Sequence, residues 1–114
     1  MTQIGAKFSE PVPYEVQSLL EGLGQRVKTA RVRRGLSAQE FAHACGIGRR
    51  SLYRLETGDP GVALGTFLSV LWQLGLLESA QGVAHPDQDE HGKILEAARR
   101  PQRVRTPVAQ DNDF

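Results

Sequence analysis

Three arginines, Arg49, Arg50 and Arg54, are the residues of this chain best suited to do chemistry, and that chemistry is recognition. A guanidinium presents paired N–H donors that match O6 and N7 of guanine in the DNA major groove. At helical spacing, positions 50 and 54 share a face and 49 is adjacent, while Leu52 and Leu55 face the other way. A helix carrying them offers a cationic side to double-stranded DNA and an apolar side to a core. If those positions meet bases, arginine at all three favours a GC-containing half-site. Ser51 and Tyr53 are candidates for contact with a phosphate or a thymine methyl. Ser37 and Gln39, at the start of the preceding helix, are candidates for phosphate contact through side chain and helix N-terminus.

Other reactive residues point to bland roles. Cys45 is the single cysteine, so no internal disulfide is possible and an intracellular, cytoplasmic chain is the simplest expectation. It falls on the apolar side of its helix and reads as a small buried hydrophobe; His43 reads as a surface residue. His85, Asp87, Asp89, Glu90 and His91 invite a metal reading, and Asp87-x-Asp89 followed by Gly92 imitates the start of an EF-hand loop. Its twelfth position is Ala98 where a glutamate is needed, and its fifth is His91, so no metal is expected. The chain has no glycine-rich phosphate loop, nucleophile elbow or Cys-x-x-Cys pair. Neither a cofactor nor an enzymatic activity is expected.

The charge distribution agrees with a polyanion partner. Net charge is only +1, yet from Gly22 to Gly58 eight Lys/Arg oppose two Glu, a block of +6. From Asp59 to Ala98 one Lys opposes six Asp/Glu, a block of −5. The basic block is the candidate DNA face; the acidic block would be repelled by the same polyanion and suits a protein partner. The composition, 39% hydrophobic and 24% charged, is that of a globular domain. The longest apolar cluster, Phe67 to Leu77, is interrupted by Ser69, Gln73 and Gly75 and falls far short of the roughly 20 residues of a membrane span. No charged segment followed by a hydrophobic run opens the sequence, so no export signal is expected.

Apolar periodicity then supplies the elements that must position the arginines. Val16, Leu19, Leu20, Leu23, Val27 and Ala30 predict an amphipathic helix from residue 16 to about Arg34, closed by Gly35. Gly22 and Gly24 each weaken it by about 1 kcal/mol relative to Ala, so its start is expected as late as Leu20. Ser37-Ala38-Gln39-Glu40 has the form of a capping box and opens a short second helix that Gly46 ends. Phe41, Ala42 and Cys45 form its apolar side. A third helix runs from Arg49 to Thr57 with Gly58 behind it. A fourth, from Leu64 to Gly75, is expected to bury Leu64, Phe67, Leu68, Leu71 and Trp72. A last helix over Asp89 to Arg100 places Ile94, Leu95 and Ala98 on one side. No strand is convincing, so the fold class is all-α with about five short helices.

Ala42, Gly46, Ile47 and Leu52 have the spacing of a helix-turn-helix: a small residue under the crossing, a glycine at the turn, a plug, then an anchor. Together with Arg26-Val27-Lys28, Arg31, Gly35-Leu36, Glu40, Leu55, Glu56 and Gly58, they resemble the lambda-repressor-like DNA-binding family of XRE type over residues 23–77. That resemblance implies a five-helix domain whose third helix enters the major groove, with base-reading positions at Arg49, Arg50 and Arg54. It also implies a homodimer on a palindromic operator, and an ion pair between Arg31 and Glu56 with a structural role. Three places depart from the family pattern: Ala38 stands where Gln is usual, Gly48 where Ser or Thr caps the recognition helix, and Asp59-Pro60-Gly61 where a basic loop occurs in phage repressors. More narrowly, Gly58–Gly65, Val70–Leu77, Asp89–Gly92 and Arg100–Arg105 resemble HipB-like regulators, the antitoxins that accompany HipA-type kinase toxins and repress their own promoters. The organisation expected is a flexible arm over 1–15, the DNA-binding domain over 16–79, a connector and C-terminal helix for dimer or toxin contacts over 80–100, and a disordered tail over 101–114.

Overall fold

A computed structural model describes residues 11–101. The expected arm up to residue 10 and the expected tail from residue 102 lie outside the described residues. Among the described residues all regular structure is helical: α1 (Tyr14–Arg33), α2 (Ala38–Cys45), α3 (Arg49–Thr57), α4 (Leu64–Leu74) and α5 (Glu90–Arg99), with 3-10 turns at Leu77–Ala80 and Pro86–Gln88. The chain divides after Gln81 into two compact units.

The first unit holds α1 to α4. Its core is Val27 and Ala30 from α1, Phe41 and Ala42 from α2, Leu52 and Leu55 from α3, and Val70, Leu71 and Leu74 from α4. Phe41, Leu52 and Val70 are fully buried, and each such side chain contributes about 1.5–3 kcal/mol by leaving water. Leu36, Ile47, Phe67 and Leu68 pack on the periphery, and Cys45 is half-buried there. Partial burial raises the Cys45 thiol pKa and keeps it protonated.

α1 begins at Tyr14, immediately after Pro13, so the last two residues of the expected arm are helical. The glycines do not delay it. Gly24 is buried where α1 crosses α3: a Cβ there would lie 2.5 Å from the carbonyl oxygens of Leu55 and Glu56. The glycine is the condition for that close approach. Toward the start of α1, Val16 and Leu19 are exposed despite their periodicity.

α4 is rotated relative to the expectation. Val70, Leu71 and Leu74 turn inward, while Leu64 and Trp72 stay 70% and 66% exposed. The helix has no charged residue, so its apolar pattern runs nearly all round and does not select a face. Arg34 ties its end to α1. Its Nη1 donates to the carbonyl of Ala30 at 2.8 Å and its Nη2 to that of Leu74 at 3.0 Å.

The second unit, described over 82–101, contains the turn at Pro86–Gln88 and α5. The Asp89 carboxylate accepts from the Gly92 amide at 2.9 Å and caps α5. Lys93 Nζ donates to the Asp87 carbonyl at 2.9 Å. No residue of α5 is buried: Ile94 and Leu95, expected on an apolar side, are exposed. Among the described residues no helix is long and apolar enough to cross a membrane, and no three or more His, Cys, Asp and Glu gather as a metal set.

Candidate nucleic-acid interface

The interface is built on α2, the turn after it, and α3. Ser37 Oγ accepts from the Glu40 amide at 3.1 Å while the Glu40 carboxylate accepts from the Ser37 amide at 3.0 Å. The two bonds close the cap, and the Ser37 amide first and its hydroxyl second hold the Glu40 carboxyl below its ordinary pKa. They also commit the Ser37 oxygen to the cap and set a carboxylate at the α2 N-terminus, where a phosphate would otherwise be attracted. Gln39 stands exposed beside them.

Gly46 then turns the chain with φ 74°, a conformation that an L-residue adopts only at a cost. The Ile47 amide donates back to the Ala42 carbonyl at 3.0 Å, and Ile47 half-buries itself against the core. Ala42 is 2% exposed, and its small side chain lets α3 pass over α2. Gly48 caps α3 with no side-chain hydrogen bond.

The orientation of α3 follows from its two buried leucines. With Leu52 and Leu55 inward, Arg49, Arg50 and Tyr53 are exposed. At 100° per residue they share one outward arc with Arg54. Ser51 lies half-buried at the edge of that arc. Arg54 differs from its neighbours: its Nε donates to Asp59 Oδ2 at 2.7 Å, and its side chain is 41% exposed. In the sequence Asp59 stands at the head of the acidic block and in the Asp59-Pro60-Gly61 segment that replaces a basic loop, with nothing to pair it with Arg54. An acid just behind a basic helix was the signal available.

Arg31 and Glu56 lie behind this surface. Arg31 Nε and Nη2 donate to the two Glu56 carboxylate oxygens at 2.8 and 3.1 Å, and Nη1 donates to the Leu36 carbonyl at 3.0 Å. The two side chains are 10% and 9% exposed. The bond to Glu56 raises the Arg31 pKa further above its ordinary value against the opposing effect of burial. The pair joins α1 to α3 and the chain before α2. Gln17 Nε2 donates to the Gly58 carbonyl at 2.9 Å and joins α1 to the end of α3.

Two short helices set by a left-handed glycine turn, the second with a buried apolar side and an exposed arginine side, define a helix-turn-helix protein. A family model described as helix-turn-helix domain matches residues 22–78, half of the chain. The chain belongs to that helix-turn-helix family, a class whose members bind DNA. The comparison with curated proteins found no match.

Proposed function

We propose that the chain is a sequence-specific transcriptional regulator of the lambda-repressor-like, XRE type, and that it represses its own promoter as a homodimer on a palindromic operator in the cytoplasm. The observation that carries this reading is the outward arc of Arg49, Arg50, Tyr53 and Arg54 opposite buried Leu52 and Leu55. In this reading α3 lies in the major groove, the arginines read guanine edges, and Tyr53, Ser51 and Gln39 support it on the backbone. A dimer spaces its half-sites about one helical turn apart, ~10 base pairs. Selection from a pool of randomised duplexes should return a GC-containing palindrome. Replacing Arg49, Arg50 and Arg54 together by Ala should abolish its preference over random DNA, each lost bidentate contact costing ~1–3 kcal/mol. Unchanged preference would reject the assignment.

A second reading is favoured by the second unit. None of the described residues of α5 is buried, and Ile94 and Leu95 stand open on it. A helix of that kind suits a protein partner. With the resemblance to HipB-like antitoxins, the partner proposed is a HipA-type kinase toxin, with DNA binding secondary or absent. Co-purification with a kinase-like protein through residues 82–101, with no retention of duplex DNA at low salt, would favour it over the first.

A further inference from the structure

We propose that Asp59 is the positioning residue for Arg54, and that it converts this arginine from a phosphate binder into a reader of base edges. The inference rests on the DNA-reading role proposed for α3. Its basis is a bracket at the end of that helix. The Asp59 amide donates to the Arg54 carbonyl at 2.9 Å, and the Asp59 carbonyl accepts from the Val62 amide at 3.3 Å. One carboxylate oxygen, Oδ1, accepts from the Gly61 amide at 2.7 Å; the other, Oδ2, takes Arg54 Nε–H at 2.7 Å. The carboxylate is therefore fixed by its own turn before it fixes the arginine. Gly61 leaves room for the guanidinium: a Cβ there would lie 3.1 Å from Arg54 Nη2.

Two consequences follow from the chemistry. A guanidinium has five N–H donors, and Asp59 occupies the Nε edge, so the terminal nitrogens remain as a preoriented pair. Less side-chain entropy is then lost when they meet a ligand. The nearby carboxylate also selects the ligand. A phosphate brought to those nitrogens meets a like charge close by, whereas guanine O6 and N7 are neutral acceptors and do not. Arg49 and Arg50 have no carboxylate partner among the described residues and keep their attraction for the backbone.

The test uses the full chain and duplexes selected from a randomised pool, with random duplex as competitor. D59N keeps the acceptor for Gly61 and removes the anionic partner of Arg54; thermal melting checks that it folds. Its discrimination is expected to fall several-fold toward the ~5–150-fold loss expected for R54A. Its affinity for random duplex is expected to rise, with a salt slope steeper by about one, as one more phosphate is neutralised. In an R54A background, D59N should change discrimination no further. If D59N folds and leaves both discrimination and salt slope unchanged, or if it sharpens discrimination because the pair was withholding Arg54, the inference is overturned while the DNA-reading role stands. A wild-type chain without sequence preference overturns both. A D59N effect that persists at full size in the R54A background assigns Asp59 to folding and overturns the positioning role.

Discussion

The Arg31 guanidinium meets the Glu56 carboxylate edge to edge, with both N–H···O bonds near 3 Å (2.8 and 3.1 Å), inside the angle between α1 and α3. Its third contact, to the Leu36 carbonyl, carries the same cation to the chain that leads into α2. One side chain thus fixes three segments that have to agree before α3 can project its arginines.

Removing either partner leaves a buried charge without its mate. Arg31→Ala or Glu56→Ala should lower stability by about 3–5 kcal/mol in urea unfolding. Replacing both by apolar residues of similar volume should cost clearly less than either single change. A single variant that unfolds at the wild-type urea midpoint would show that the pair contributes nothing.

Gly22 and Gly24 should respond to alanine with opposite signs. A Cβ at 22 meets nothing within 4 Å, so Gly22→Ala should stabilise by up to about 1 kcal/mol through helix propensity. A Cβ at 24 meets two α3 carbonyls at 2.5 Å, so Gly24→Ala should destabilise by about 1–3 kcal/mol despite the same propensity gain. Melting temperatures that move together would contradict the crossing geometry.

Those two glycines also mark where sequence reasoning stops. Periodicity and turn residues made the helices legible: Ser37 and Glu40 announced the α2 cap, and Gly46 and Leu52 the turn and its anchor. Local chemistry is written locally. Gly24 could be read only as a weak helix former, because the reason for it lies on α3, some thirty residues away in the chain. The face of α4 was illegible for a different reason. Leu64, Leu68, Trp72, Val70 and Leu74 are all apolar, and only the packed core decides which of them point inward. At the candidate interface the arginine arc was legible from spacing. The Asp59 contact was not, since it reaches across a helix end at a separation of five residues, outside the three-and-four rule.

Asp59 should titrate below the usual aspartate value of about 3.9, because it accepts from Arg54 first and from the Gly61 amide second. A carboxyl depressed on folding contributes stability that is present above its unfolded pKa and lost as pH falls through its folded one. Arg54→Ala should move the Asp59 titration upward, part of the depression remaining through Gly61. Carbon-13 titration of the carboxyl group measures this; an unmoved titration would remove Arg54 as the main cause.

Ser37→Ala should cost about 1 kcal/mol of stability through loss of the cap. Glu40, also depressed on folding, contributes at neutral pH and ceases to do so as pH falls through its lowered folded value. Glu40→Gln should therefore melt below wild type near neutrality, and the two curves should converge in acid. A constant gap across the range would mean that the carboxylate charge plays no part in the cap.

Leu74→Ala should destabilise by about 2–5 kcal/mol, since the side chain is 4% exposed, whereas Trp72→Gln should change stability by no more than about 0.5 kcal/mol. Trp72 is the single tryptophan, so its emission reports its surroundings directly. The emission should be that of a water-exposed indole in dilute solution. A buried-type spectrum at low concentration would contradict the rotation of α4.

Arg34 joins the last carbonyl of α4 to the closing turn of α1 with two nitrogens of one planar group. A lysine carries the same charge but a single nitrogen, and it cannot serve both carbonyls in that fixed fork. An alignment scored by charge would count lysine at this position as a match. The two helix ends would register it as a lost clasp, so relatives with lysine there must close the α1–α4 corner by some other contact.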